Sequence, residues 1–310
     1  MFEKFVAAFM GADLGKLAEF EPLAKHTTLR VGGPVRVFVQ PADKACFVEV
    51  VRLVREMGLA FKVIGKGSNL LSSDDVFEGV VIQTDKCLTY THIDGTLVTV
   101  GAGVSDVKLA RDVAKLNLSG LEFLSGVPGT IGGAVFMNAG AYLREMSDVL
   151  VKVQLLNENN ELVWLDQDEL AMSYRTSIFQ QRLDWIVVEA ILQLEPGDKN
   201  DIMATMKSRK EKRSISQPLE FPSAGSVFRN PDGHSSWQLI EDAGLRGFTI
   251  GGAMVSDKHT NFIVNVGGAT ASDIEAVIRH VKRVVYEKTG IEMHQEVEYF
   301  NWSDENGATR

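Results

Sequence analysis

A glycine-rich stretch between residues 120 and 142 constrains the fold of this chain more than any other segment. An apolar run, Leu121 to Leu124, leads into it, and small or apolar residues surround its glycines, Gly126, Gly129, Gly132, Gly133 and Gly140. Glycine lets the backbone pass close to a ligand because it has no Cβ atom. Successive amides of such a loop can also point together at a phosphate or another anion. We therefore interpret the stretch, called the cradle below, as buried backbone that holds a large cofactor.

Composition limits the classes of protein to consider. The chain has 310 residues, of which 45% are hydrophobic, and this is enough for two or three domains with cores of their own. Its formal net charge is −9 without a basic block, so nucleic acid is not an expected partner. An acidic chain can still bind a polyanionic small molecule through a local basic pocket.

Cysteine usage and hydropathy favour the reducing cytoplasm. Cys46 and Cys87 are the only cysteines. They lack metal-ligand spacing and predict no disulfide framework, so we treat them as ordinary buried residues. The histidines His26, His259 and His294 are scattered, and we predict no metal site. The apolar N-terminus is short and charged, which favours an amphipathic helix over a signal peptide. No stretch approaches the length of a membrane span.

Periodicity and turn signals predict a mixed chain in three blocks. An N-terminal helix is expected over about residues 5 to 20, and Asp94-Gly95 predicts a hairpin turn between two strands. Pro196-Gly197 is the clearest boundary. After it we expect a helix from Lys199 to Arg213 and a final strand that opens at Glu296, followed by a frayed polar tail. Strands and helices without strict alternation favour an α+β fold.

A second glycine loop, Gly65-Lys-Gly-Ser-Asn-Leu-Leu71, directly follows a predicted buried strand. It matches neither the dinucleotide fingerprint nor the P-loop pattern, so by itself it indicates no more than a tight turn. Its amides and the Ser68 hydroxyl could nevertheless face a pyrophosphate. Paired with the cradle, it suits one extended cofactor held between two subdomains.

Three further residues are candidates for chemistry. Arg175 stands in Tyr174-Arg-Thr-Ser177, where a surface arginine is the simpler interpretation. Ser226 follows Gly225 and could be a capping group or a proton donor, but no nucleophile-elbow motif surrounds it. Glu296 shares a strand face with Glu298, and glutamates at such positions are more often exposed.

Seven segments, in this order, resemble the UDP-N-acetylenolpyruvoylglucosamine reductase family, also called UDP-N-acetylmuramate dehydrogenase. The segments are 27–33, 65–71, 126–142, 174–175, 224–231, 240–247 and 296–297, and they cover the chain from about residue 25 to residue 300. The chain between Tyr174 and Trp185 is too short for the substrate-closing loop of one subclass. It therefore resembles the subclass without that loop.

The resemblance implies an α+β fold with a two-subdomain FAD-binding module of the vanillyl-alcohol-oxidase (PCMH) type and a C-terminal α+β substrate-binding domain. The implied bounds are an N-terminal helix in 1–24, the FAD module in 25–197 with subdomains of about 25–95 and 96–197, and the substrate domain in 198–310. The residues expected to contact FAD are Gly65, Lys66, Gly67, Ser68, Asn69, Leu70, Gly126, Val127, Pro128, Gly129, Thr130, Gly132, Gly133, Asn138, Ala139 and Gly140.

The resemblance also implies a reaction of peptidoglycan precursor synthesis. NADPH would reduce FAD, and hydride from reduced FAD would convert UDP-N-acetylglucosamine-enolpyruvate to UDP-N-acetylmuramate. By their match to the family, Ser226 would donate the proton, while Arg175 and Glu296 would stabilise the enolate. Expected substrate contacts are Tyr174, Arg213, Arg229, Asn230, Arg246, Lys258 and Asn261. Solvated surface charge is an equally good interpretation of Arg213 and Lys258. We expect a monomer or a weak oligomer.

Two other functions are compatible with a chain of this kind. One is another FAD-dependent oxidase of the same fold, acting on an alcohol or sugar, and the contexts of Ser226 and Glu296 argue against it. The other is a non-catalytic protein that binds a nucleotide sugar. The presence of Arg175, Ser226 and Glu296 together argues against that alternative.

Overall fold

The computed structural model describes residues 1–303, which form an α+β fold. The helices are α1 Phe2–Gly11, α2 Lys44–Glu56, α3 Asp106–Lys115, α4 Ile131–Phe136, α5 Lys199–Ser216, α6 Ser236–Asp242 and α7 Ala271–Thr289. The first strands are β1 Gly15–Pro22, β2 Pro34–Pro41, β3 Phe61–Ile64, β4 Leu70–Ser72, β5 Phe77–Gln83, β6 Thr91–Asp94, β7 Leu97–Gly101, β8 Leu118–Ser119 and β9 Gly140–Ala141. The others are β10 Arg144–Glu145, β11 Leu150–Leu156, β12 Leu162–Asp166, β13 Ile186–Gln193, β14 Glu195–Pro196, β15 Thr249–Ile250, β16 Ala253–Val255, β17 Ile263–Asn265 and β18 Glu298–Phe300.

The chain divides into two compact units, each with a hydrophobic core of its own. The first unit comprises Met1–Glu19, Arg36–Lys66 and Glu78–Glu211, and the second comprises Phe20–Val35, Gly67–Phe77 and the described residues from Lys212 onward. The loop that begins at Gly65 is therefore shared, with Gly65 and Lys66 in the first unit and the residues from Gly67 in the second. The boundaries predicted at residues 24 and 197 stay predictions.

The first unit is built on helices and sheets whose patterns are visible in the sequence. Asp43 begins α2 by accepting a hydrogen bond from the Cys46 N–H at 2.8 Å, as its N-cap position predicts. The helix then buries Phe47, Val50 and Val54, which recur at helical spacing along one face. A five-stranded sheet takes the order β12-β11-β13-β7-β6, with antiparallel neighbours. The predicted hairpin is confirmed, because Asp94 pairs with Leu97 across a two-residue turn.

The second unit packs α7 against the sheet β15-β16-β17. The helix starts with a capping box in which Thr270 and Asp273 each accept a backbone N–H from the other. It buries Ile274, Val277, Ile278, Val281 and Val285 along one side and ends at Gly290, whose φ of 71° suits glycine. Strand β18 pairs in parallel with β4, which places the last strand beside the loop after Lys66.

The predicted N-terminal helix over 5–20 is wrong in its second half. The helix ends at Gly11, and the chain turns at Asp13, which has a φ of 51°, into β1, whose first residue Gly15 has a φ of 137°. A Cβ atom at Gly15 would lie 2.3 Å from the carbonyl oxygen of Gln40, so the backbone of β1 approaches its neighbour too closely for a side chain. Pairing with β2 therefore outweighs the helical pattern.

The final strand also begins later than predicted, at Glu298 instead of Glu296. The Glu296 N–H donates to the Val227 carbonyl at 2.7 Å, and Gln295 pairs with Phe228. Residues 295 and 296 therefore pair with the segment 227–228, and β18 starts after them. Most of the tail predicted to fray, residues 304–310, lies outside the described residues. Within residues 1–303, no helix is long and apolar enough to cross a membrane, and no three His, Cys, Asp or Glu side chains are grouped to hold a metal ion.

We predict that Asp74→Ala lowers the free energy of unfolding by about 1–2 kcal/mol, the usual cost of losing an N-cap. The Asp74 carboxylate accepts the Ala271 N–H at 2.8 Å, and the N–H and Oγ–H of Ser272 at 2.9 and 2.7 Å, so it caps α7 from another segment. Urea unfolding of purified variants measures the difference.

The neighbouring variant Asp75→Ala is the control, because Asp75 offers its backbone carbonyl to Asn301 and a side-chain change leaves that bond in place. Its unfolding free energy should stay within about 0.5 kcal/mol of the wild type. Equal losses in the two variants would contradict the capping role of Asp74.

Candidate functional site

The two glycine loops meet within the first unit. A Cβ atom at Gly65 would lie 2.3 Å from the Thr130 Oγ1, and one at Gly132 would lie 3.0 Å from the Cβ of Ala102. Thr130 precedes α4 and forms a β-bridge with Ser105. The backbone after β3 therefore packs against the Thr130 side chain in the middle of the cradle, and a Cβ atom at Gly65 would clash with it.

The other cradle residues follow the chain from a short turn into α4 and beyond it. Gly126, Val127, Pro128 and Gly129 connect the 3-10 turn over Glu122–Gly126 with Thr130, and Gly133 lies within α4. Ala139 and Gly140 come after the helix, and a Cβ at Gly140 would lie 2.5 Å from the Arg144 carbonyl oxygen. The predicted cofactor residues from Gly126 to Gly140 thus lie along one stretch of chain, and Gly65 packs against it at Thr130.

Lys66 supplies a positive charge next to the cradle. Its Nζ donates to the Ser105 Oγ at 2.7 Å, at the position that precedes α3. Ser105 would ordinarily cap this helix, but its hydroxyl makes no capping bond and accepts from Lys66. The arrangement holds an ammonium group near the residues predicted to face an anion.

Asp106 is a buried acid that the sequence analysis missed. It is the first residue of α3, where an acidic side chain usually interacts with the helix dipole at the surface. Here it is fully buried, and neither carboxyl oxygen has a hydrogen-bond partner among residues 1–303. Burial raises the pKa of Asp106 to about 8, and the nearby charge of Lys66 opposes the shift. The carboxyl group is therefore mainly neutral at pH 7 and does not repel an anion at the cradle.

Arg175 lies on a tight turn at the far end of the cradle. Ser173 and Thr176 exchange two backbone hydrogen bonds of 3.0 Å, and Arg175 between them has a positive φ of 55°. Its Nη2 donates to the Gly140 carbonyl at 2.8 Å, and its guanidinium lies 5.0 Å from the centre of the Tyr174 ring. We call residues 173–177 the arginine turn. The structure thus joins a predicted catalytic residue to a predicted cofactor residue.

Asn138 connects the cradle with the arginine turn from inside the protein. It is fully buried with a φ of 41°, and its Nδ2 donates to the Ser173 carbonyl at 3.0 Å. Its Oδ1 accepts the Ser147 N–H, also at 3.0 Å. Both ends of the amide therefore bind protein groups, and a direct contact between Asn138 and the cofactor stays a prediction.

Ser226 and Glu296 lie on touching segments of the second unit. The Val227 carbonyl, one residue after Ser226, accepts the Glu296 N–H at 2.7 Å. The Glu296 carbonyl in turn accepts from the Nδ2 of Asn69 at 3.0 Å. Ser226 and Glu296 are both half-buried, and Gly225 before the serine has a φ of 78°. Two predicted catalytic residues and one predicted cofactor residue therefore share one cluster.

Other residues of the glycine loop also form backbone hydrogen bonds within the second unit. The carbonyls of Gly67 and Ser68 accept the N–H and Oγ1–H of Thr28, at 3.2 and 3.5 Å. Leu70 begins β4 and pairs with Glu298. The loop after Lys66 is thus fixed by several backbone contacts.

The residues predicted to contact the substrate have partners within the second unit, except Tyr174, which contacts Arg175 in the first. Asn261 brackets Phe228, accepting its N–H at 3.0 Å and donating to its carbonyl at 2.9 Å, and so shapes the segment that carries Ser226. The Asn230 Oδ1 accepts the Ser236 N–H at 3.0 Å at the start of α6. Lys258 donates to the Ser214 carbonyl at 2.8 Å. Their contacts with substrate stay predictions.

The remaining substrate candidates are exposed or half-buried. Arg246 pairs with Glu241 and donates to the Asp257 carbonyl. Arg213 is half-buried on α5, and the Arg229 N–H donates to the His294 carbonyl at 2.9 Å. Tyr174 is 48% exposed, which leaves much of its ring open to a ligand.

Comparisons with known proteins agree with this geometry. Residues 217–300 match the family model of the UDP-N-acetylenolpyruvoylglucosamine reductase C-terminal domain, and residues 35–166 match that of an FAD-binding domain. The chain is 46% identical to the UDP-N-acetylenolpyruvoylglucosamine reductase of Bacillus licheniformis over 296 residues, which cover 96% of this chain and 98% of that protein. For the enzyme of that name from Bacillus subtilis the identity is 45%, with the same coverage.

A solved structure is similar over the same extent. The crystal structure of UDP-N-acetylenolpyruvylglucosamine reductase from Thermus caldophilus superposes with a TM-score of 0.77 at 34% identity, covering 92% of this chain and 98% of that chain. The fold expected from the resemblance, an FAD-binding module followed by a reductase-type C-terminal domain, is confirmed.

The first unit fits the FAD that this domain type binds. Gly65, Gly132 and Gly140 pack directly against protein atoms, and beside them Lys66 adds a cation suited to a pyrophosphate. The neutral Asp106 is compatible with that anion. These residues all fall within the matched range 35–166.

We predict that Asp106→Asn removes a pH-dependent loss of stability. Because the folded pKa is about 8 and the unfolded value is 3.8, the folded wild type binds more protons between these values. Its unfolding free energy therefore falls as pH rises through that window, on the order of 1.4 kcal/mol per pH unit. The variant lacks this term, so its stability relative to the wild type should increase steadily up to about pH 8.

Urea unfolding at several pH values between about 5 and 9 gives the measurement. Asp112→Asn on the same helix is the control. Hydrogen bonds from Lys115 and Lys108 lower the pKa of Asp112, so it titrates below the tested range. A difference between wild type and Asp106→Asn that stays constant with pH would contradict a neutral, buried Asp106.

Proposed function

Because the chain belongs to the UDP-N-acetylenolpyruvoylglucosamine reductase family, we propose that this FAD-dependent oxidoreductase reduces UDP-N-acetylglucosamine-enolpyruvate to UDP-N-acetylmuramate with NADPH. FAD, when bound, supplies the hydride chemistry that side chains cannot perform. The observation that supports the assignment most is the pairing of the Ser226 and Glu296 segments through the hydrogen bond from Glu296 to Val227. This bond fixes the two segments to each other, so the Ser226 hydroxyl lies on fixed backbone that suits proton delivery to a carbanion.

Arg175 is proposed to stabilise the charge that develops on the substrate. Reduction of the enolpyruvyl group leaves negative charge beside a carboxylate, and a fixed guanidinium suits this charge because its N–H groups form a planar fork. The bond from Nη2 to the Gly140 carbonyl holds the guanidinium against the cradle before substrate arrives. Such preorganisation avoids the cost of moving the cation during the reaction.

Ser226 is proposed to deliver the proton. A serine hydroxyl is a weak acid at neutral pH, so its alkoxide must be stabilised by nearby donors or positive charge. Gly225, with its positive φ, places the serine on a tight turn, and Asn261 fixes the backbone that follows it. Glu296 is proposed to help polarise the enol through a hydrogen bond to the substrate carboxylate, for which it would carry a proton.

The proposed partners follow from the chemistry. NADPH and the UDP-sugar are polyanions, so local cations such as Lys66 must offset the net charge of −9. For the same reason we propose no nucleic-acid partner. We propose that the enzyme is cytoplasmic, where both substrates would be available. We propose no membrane partner, and we expect a monomer or a weak oligomer. The domain bounds 1–24, 25–197 and 198–310 remain part of the proposal.

The proposed function predicts that purified protein carries or can be reconstituted with FAD, and that its NADPH oxidation depends on the enolpyruvyl UDP-sugar. The assay compares NADPH consumption with and without that sugar under aerobic and anaerobic conditions. Oxidation that needs oxygen but not the sugar would instead favour an FAD oxidase. Tight sugar binding without NADPH consumption by the flavin-loaded protein would favour a non-catalytic binding protein.

We predict that Ser226→Ala leaves flavin reduction by NADPH near the wild-type rate and slows reoxidation by the UDP-sugar by about 10²-fold or more, the usual contribution of a general acid. Stopped-flow absorbance separates these two half-reactions. Ser223→Ala, which removes a hydroxyl from the same segment, is the control and should resemble the wild type in both. If Ser226→Ala is reoxidised at the wild-type rate, another group donates the proton.

A further inference from the structure

The arginine turn is strained and is held in place by side chains outside the three predicted catalytic residues. A non-glycine residue at a φ of 55° costs on the order of 1 kcal/mol, so such a conformation persists only when its surroundings enforce it. Two buried groups contribute at either side of Arg175. Asn138 donates to the Ser173 carbonyl, and the Ser177 Oγ donates to the Phe136 carbonyl at 2.6 Å.

Gln180 acts on Arg175 itself. Its Nε2 donates to the Arg175 carbonyl at 2.9 Å and to the Phe136 carbonyl at 3.3 Å. Phe136 is the last residue of α4, where carbonyls have no partner within the helix. One amide group therefore joins the backbone of the strained residue to the end of the helix that contains Gly132 and Gly133. Gln180, Arg175 and Phe136 all belong to the first unit.

We infer that Gln180 is a positioning residue for Arg175. By donating to the carbonyls of Arg175 and Phe136, it holds the main chain of Arg175 next to the end of α4. The inference rests on the proposed function, in which the guanidinium acts on the substrate. The Arg175 side chain contacts Gly140, and its main chain is held by Gln180, so the residue is fixed at two points. Without the second point the turn can relax from its positive φ. A displacement of about 1 Å at a charge-stabilising group can slow a reaction by about 10²-fold.

The role requires N–H donors, because Nε2 donates to two carbonyl oxygens and lies 3.6 Å from the Met137 Sδ, a third acceptor. Methionine is similar to glutamine in length but donates no hydrogen bond, so Gln180→Met removes the donors with little change in volume. Lysine offers three donors on a chain of similar reach, so Gln180→Lys can satisfy both carbonyls again. The pair of variants separates the hydrogen bonds of Gln180 from its bulk.

Gln193 provides a matched control in the same unit. Its Nε2 also makes two bonds, to the Thr96 Oγ1 at 2.7 Å and to the Leu194 carbonyl at 2.8 Å, on a strand that does not include the arginine turn. Gln193→Met therefore also removes an amide that donates to two oxygen atoms. An effect that arises from reduced stability alone should appear in both variants.

The test measures FAD affinity and both half-reactions in the flavin-loaded variants. For Gln180→Met we expect FAD affinity and NADPH reduction within about 2-fold of the wild type, and reoxidation by the UDP-sugar slower by about 10- to 100-fold. Gln180→Lys should recover most of the lost rate, and Gln193→Met should match the wild type in all three measurements.

Three results would overturn the inference while leaving the proposed function intact. They are fast reoxidation by Gln180→Met, a loss of reoxidation that Gln180→Lys does not recover, and equal slowing of both half-reactions together with weaker FAD binding. The wild-type arm tests the proposed function separately. If reduced wild-type enzyme is not reoxidised by the UDP-sugar, the proposed function fails, and the inference fails with it.

Discussion

The contact between Gly65 and Thr130 leaves no room for a side chain, and the arrangement of the first unit depends on it. A Cβ atom at Gly65 would lie 2.3 Å from the Thr130 Oγ1. The backbone after β3 therefore packs directly against the side chain that precedes α4. This approach brings Lys66 to Ser105 at the start of α3. It also accompanies the complete burial of Asp106, whose raised pKa is a consequence of that burial. The close packing at Gly65 thus goes together with the position of the Lys66 ammonium group and with a buried, neutral Asp106.

The short helix α4 connects the predicted cofactor region with Arg175, the candidate catalytic arginine. Its first residues follow Thr130, and its last carbonyl, at Phe136, accepts hydrogen bonds from Ser177 and Gln180. The arginine turn can keep an unfavourable φ because these bonds and that of Asn138 hold it on several sides. In the second unit Asn261 has a comparable role, since its amide brackets Phe228 close to Ser226. In both units buried amides, which carry no charge, fix the backbone next to residues proposed to carry the chemistry.

Much of the secondary structure could be predicted from local sequence, because the signals there are physical and short-range. Asp43 caps α2 and Asp94-Gly95 turns a hairpin, as expected from residue types alone. The N-terminal helix was predicted to continue to residue 20 because its pattern does not reveal that Gly15 must pair closely with β2. Glu296 was assigned to the last strand for a similar reason, since its bond to Val227 comes from a segment far away in the chain. Local patterns thus located the elements, but long-range pairing decided where two of them end.

The sequence by itself determined the family, and it led to the predictions of an FAD-binding cradle and of three catalytic residues, because glycine spacing and motif order are properties of the chain. Only the tertiary structure decided that Asp106 is neutral and that Gln180 holds Arg175. An aspartate at the start of a helix usually faces water, and a glutamine in a loop carries no distinctive motif. Whether such groups are desolvated, and which carbonyls they meet, depends on neighbours that folding brings together from distant positions. Burial and hydrogen bonding are properties of those neighbours, so the residue types alone could not predict them.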